Sequence, residues 1–140
     1  MRKLFIFLFV AFLLAAQAGC PRNSGGNNLD DKKMPFLRSL RLVQALVEKE
    51  KTPVGDYGQE IFNKAMRKTP EDLPIFDGYT LPTQVRPDVK GANWAVLLLC
   101  QDDKVLLEAV DCQMPPVLKV YDQGSVACQF HIDVAKECPQ

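Results

Sequence analysis

The sequence predicts an α+β domain in which two N-terminal helices pack on a four-stranded antiparallel sheet stapled by disulfides. Three observations carry that expectation. Apolar residues recur at helical spacing between Pro35 and Lys68, short apolar runs separated by turn residues follow from Trp94 to Val134, and four of the five cysteines lie between positions 100 and 138.

The first helix is expected from Pro35. Phe36, Leu40, Val43 and Val47 form one stripe, Leu37 and Leu46 widen it, and Glu48, Lys49, Glu50 and Lys51 close it. Pro35 suits a first helical position and Thr52-Pro53 ends the run. A second helix is signalled by Asp56 as cap with Gln59 three residues on, then Tyr57, Ile61, Phe62, Ala65 and Met66, and it should stop near Lys68. Thr69-Pro70-Glu71-Asp72 starts another turn that Pro74 should cut short. Residues 74–92 hold three prolines and two glycines among scattered apolar residues and read as an irregular connection whose Phe76, Tyr79, Leu81 and Val85 pack over the helices.

Four strands are expected after it. Trp94 to Cys100 is apolar on both faces, as a central strand should be, and Gln101-Asp102-Asp103-Lys104 turns the chain into Val105 to Val110. Val117 to Tyr121 and Val126 to Val134 flank the turn Asp122-Gln123-Gly124-Ser125. In the last run Cys128, Phe130, Ile132 and Val134 alternate with Gln129, His131 and Asp133. A sheet with one apolar face needs a cover, and the first helix supplies it.

The 140 residues balance 17 Lys and Arg against 17 Asp and Glu, with no basic cluster, which disfavours a nucleic-acid role because such a role requires a basic face. At the N-terminus, Arg2 and Lys3 precede an unbroken apolar run from Leu4 to Ala16 and a small-residue finish at Ala18 and Gly19. That is the layout of a secretory signal over residues 1–19, because a membrane-spanning helix needs roughly 20 apolar residues. Gln17-Ala18-Gly19-Cys20 resembles the end of a bacterial lipoprotein signal, in which a small pair precedes the cysteine that receives lipid. Gln17 departs from the apolar residue usual there, and Ala16-Gln17-Ala18 offers an ordinary signal peptidase a competing site after Ala18. The resemblance covers processing alone and names no activity.

Cysteine arithmetic bears on that choice. Five is odd, so two disulfides among Cys100, Cys112, Cys128 and Cys138 leave Cys20 over, and lipidation removes the anomaly. The polar, glycine-containing stretch behind Cys20 suits a tether over residues 20–34, ahead of one small domain over 35–140. Losing residues 1–19 removes two basic residues and no acid, which leaves the remainder at −2.

No C-x-x-C occurs among spacings of 12, 16 and 10, which disfavours zinc ribbons, thioredoxin-like chemistry and haem attachment. A tight hairpin would hold Cys100 and Cys112 about 20 Å apart at ~3.3 Å per residue, beyond the roughly 7 Å that a disulfide spans. The meander therefore favours Cys100 with Cys128 and Cys112 with Cys138. His131 and Asp133 share a strand face but fall short of a metal's ligand set, Ser39 and Ser125 lack a nucleophile-elbow context, and Gly55-x-x-Gly58 lacks the lysine of a phosphate loop. Glu108 and Asp111 read as a solvent-exposed pair.

These readings predict a lipid-anchored, non-enzymatic protein of the bacterial cell envelope. It should need no cofactor or metal, face the periplasm, and act by binding or assembly within a larger envelope system. Pro21 after the lipidated cysteine, where inner-membrane lipoproteins of enteric bacteria often carry Asp, favours the outer membrane. The alternative is an inhibitor or immunity protein that neutralises an enzyme in the periplasm, for which a mildly acidic domain suits a basic target.

Overall fold

The computed structural model describes residues 28–87, 93–112, 115–121 and 126–138. The signal segment, Cys20, the tether as far as residue 27 and the turn 122–125 with Ser125 lie outside the described residues.

Helix α1 (Leu29–Glu50) begins six residues before Pro35, within the stretch expected to be tether. Asn28 explains the earlier start: its side chain accepts from the Asp30 amide at 3.2 Å, and Asp30 and Asp31 place negative charge at the positive end of the helix. Pro35 therefore sits inside the helix, where it forgoes one backbone donor. Lys51, at a positive φ of 51°, ends the helix, and the Thr52 amide donates back to the Val47 carbonyl at 3.0 Å.

Strand β1 (Gly55–Asp56), helix α2 (Glu60–Ala65) and two 3-10 segments, Met66–Lys68 and Pro70–Phe76, follow. The second helix ends at Ala65 and a 3-10 turn carries the chain to Lys68, where the sequence expects the helix to stop, and its cap is Gln59, because Asp56 is held in β1. The sheet continues with β2 (Thr83–Pro87), β3 (Asn93–Gln101), β4 (Lys104–Val110) and β5 (Val117–Val120), each antiparallel to its neighbour in chain order. The α+β class and the antiparallel sheet agree with the sequence, whereas the strand count does not. Among the described residues the sheet has five strands: β3 to β5 are three of the four expected, and β1 and β2 come from stretches expected to be helix cap and irregular connection. The β3–β4 turn puts both Asp102 and Asp103 at positive φ, 50° and 62°, the combination that a two-residue hairpin demands and that aspartate tolerates.

One face of the sheet, with Val85, Ala95, Leu97, Leu99, Leu107 and Ala109, packs against Phe36, Leu40, Val43 and Val47 of α1 and against Phe62 and Met66. Each of these large side chains contributes about 2 kcal/mol by leaving water. Gln44 sets the helix on the sheet: its Nε2 donates to the Asn93 carbonyl at 3.0 Å and its Oε1 accepts from the Ala95 amide at 2.7 Å.

The opposite face is also covered. Residues 126–138 cross it as a strap, burying Ile132, Val134 and Cys138 against Trp94, Val96 and Val110, with Cys128 and Phe130 over Leu98 and Val105. This corrects the expected last strand. Its inward and outward alternation is realised, but in regular structure the strap has one bridge, Ala127 to Lys104, and a short helix α3 (Val134–Glu137). Disulfides join Cys100 to Cys128 and Cys112 to Cys138, the expected pairs. They fasten the strap across the sheet face rather than along a fourth strand.

Candidate functional site

Glu108 lies at the middle of β4, facing the strap, with Leu98 and Lys119 as its cross-strand neighbours. It is 0% exposed, and Asp111 is 7% exposed. The expectation of a solvated pair is therefore wrong for both: the strap covers Glu108, while Asp111 lies beside Arg41, Gln44 and Glu48 of α1. Glu108 Oε1 accepts from the backbone amides of His131 at 2.6 Å and Ile132 at 2.5 Å, while Oε2 accepts from the Tyr121 hydroxyl at 2.8 Å. Both carboxyl oxygens are thus engaged, and they supply acceptors that the strap cannot find in a ladder.

Tyr121 records this environment. Burial, then the hydrogen bond to Glu108 and the charges of Glu108 and Glu137, push its hydroxyl from 10.0 up to about 12. It stays a donor through the physiological range. Lys119 turns its ammonium to Glu137 at 2.8 Å, which ties α3 to β5.

Between β2 and the strap lies a cleft of about 370 Å³, lined by Arg86, Pro87 and residues 130–135. The exposed side chains of His131 and Asp133 both reach it, although the two residues belong to an irregular segment and not to a strand. The His131 ring stands 5.9 Å from the Tyr121 ring. Arg86, opposite Trp94 in the register, is half-buried. Its Nε is buried without a hydrogen-bond partner among the described residues.

Ser39 lies across the sheet from His131, buried in α1 with its hydroxyl donating to the Pro35 carbonyl at 3.1 Å, so the two do not meet. Gly58 occupies a turn at φ 51°, where an added Cβ would meet nothing within 4 Å. Among the described residues no group of three or more His, Cys, Asp or Glu is placed to hold a metal ion, and no helix is long and apolar enough to cross a membrane. Sequence reasoning missed Glu108, Tyr121 and Arg86 as members of one face. Glu108 alone carried a signal, an acid inside the apolar run Val105 to Val110. No family model matches the chain, and no curated protein or solved structure shows significant similarity to it.

Proposed function

We propose that the chain is a lipid-anchored protein of the bacterial cell envelope, held through Cys20, facing the periplasm from the outer membrane and acting by binding a component of a larger envelope system. The lipobox-like Gln17-Ala18-Gly19-Cys20 supports the anchor, and the even pairing of the other four cysteines supports Cys20 as the one set apart. The observation that carries the binding role is Glu108. A buried acid at the centre of a small domain is a candidate for acid/base chemistry, yet here both oxygens are occupied in holding the strap that forms one wall of the cleft. The acid builds a rigid recognition surface.

Cross-linking in cells and capture through a tag on the anchored protein tests this. Recovery of several envelope components supports the reading. Recovery of a single secreted enzyme, with loss of that enzyme's activity, would replace it with the inhibitor alternative, and recovery of neither would overturn both.

A further inference from the structure

We propose that the cleft between β2 and the strap binds a small monoanionic carboxylate with an apolar body, its carboxylate held by Arg86. The inference rests on the binding role above and adds the class of ligand.

Arg86 is the anomaly that points to it. A guanidinium is always charged, and withdrawing it from water is compensated elsewhere in proteins by hydrogen bonds or a carboxylate. The Arg86 side chain is half-buried, forms no hydrogen bond or ion pair with any described residue, and keeps its Nε donor covered without an acceptor. A carboxylate in the cleft supplies the acceptors that this side chain lacks, and a guanidinium turned so that its covered Nε faces the cleft presents Nε and a terminal nitrogen side-on to two oxygens. The rest of the lining sets the remainder of the ligand. Phe130 and Val134 offer apolar wall, and about 370 Å³ is the scale of a small molecule. Asp133, exposed at the same cleft, disfavours a second negative charge, so a phosphate dianion is the poorer fit.

Titration of the oxidised, exported protein carrying Cys20→Ser, which avoids detergent, tests the assignment by nuclear magnetic resonance. The probes are N-acetylleucine, its uncharged relative N-acetylleucinamide, and inorganic phosphate. N-acetylleucine should bind with Kd on the order of millimolar and shift the Arg86 Nε–H and the His131 and Asp133 amides. The amide should bind roughly tenfold or more weakly, Arg86→Gln should lose a similar factor, and Arg86→Lys, which lacks the planar fork, should recover only part. Asp133→Asn should strengthen phosphate about threefold. Equal binding of acid and amide, binding unchanged by Arg86→Gln, or no binding at all overturns the site, and phosphate binding more tightly than N-acetylleucine overturns the carboxylate. The acid-to-amide comparison uses the unaltered cleft, so it decides even where a variant fails to fold. Capture of envelope partners is read independently, so failure of the ligand and failure of the binding role are distinguishable.

Discussion

The backbone amide of Ile132 donates to Glu108 Oε1 at 2.5 Å, so a side chain of β4 takes the place that a neighbouring strand's carbonyl would hold. The relationship explains how the residues around His131 and Ile132 keep their inward and outward alternation without a ladder, and it has measurable consequences.

Glu108→Ala leaves two backbone donors and the Tyr121 hydroxyl without their acceptor in a buried site and opens a cavity, for a loss of about 3 kcal/mol or more. Glu108→Gln should cost only about 1 kcal/mol. Its amide oxygen can accept from both backbone amides, while its NH2 donates to the tyrosine oxygen. Urea midpoints give the two losses, and amide exchange at His131 and Ile132 should accelerate in the alanine variant alone. Equal losses would mean that the carboxyl contributes by volume and not by accepting bonds.

The Tyr121 hydroxyl sets an alkaline limit. Because the fold raises its pKa from 10.0 to about 12, the neutral phenol is the form that folding favours. That stabilisation is complete below pH 10 and is lost as pH rises through 12. Ultraviolet titration should show one tyrosine ionising near pH 12, and Tyr121→Phe should remove that component together with the alkaline fall in stability it causes.

The disulfides test the strap. They close sequence separations of 28 and 26 residues, so each removes denatured-state entropy equivalent to roughly 3 kcal/mol. Non-reducing proteolysis with mass spectrometry should yield peptides joining Cys100 to Cys128 and Cys112 to Cys138, with Cys20 in no crosslink. Replacing Cys112 and Cys138 with Ala should expose residues 126–138 to protease before the rest of the domain. Simultaneous cleavage in α1 would show that the strap and the helical layer unfold as one unit.

Anchoring is tested at Cys20. Under the proposed anchoring, Cys20→Ser should abolish incorporation of labelled fatty acid and move the protein into the soluble fraction. Membrane retention of the variant would assign the attachment elsewhere.

Sequence pattern was sufficient where a signal is local. The α1 stripe, the central strand with two apolar faces and the Asp102-Asp103 turn are all short-range: the first two follow from periodicity and the third from residues that accept positive φ. The disulfide pairs were legible too, although the fourth strand invoked to place them does not exist. Chain direction brings residue 128 to the end of the sheet that holds residue 100, and a strap satisfies that as well as a strand. The short strand β2 was not legible, because Pro82 and Pro87 bracket a run of mixed polarity that pairs only once β3 is present beside it.

By itself the sequence determined the class of the domain, the helical cover, the central strand, the hairpin and the cysteine partners, because each depends on spacing along the chain. Tertiary structure alone decided that the second sheet face is interior, that Glu108 is an acceptor for the strap, and that Arg86, His131 and Asp133 share a cleft. The physical reason is solvent exposure. An acid in a strand looks the same in sequence whether water or backbone amides satisfy it, and the answer rests with a segment more than twenty residues away, between Glu108 and Ile132.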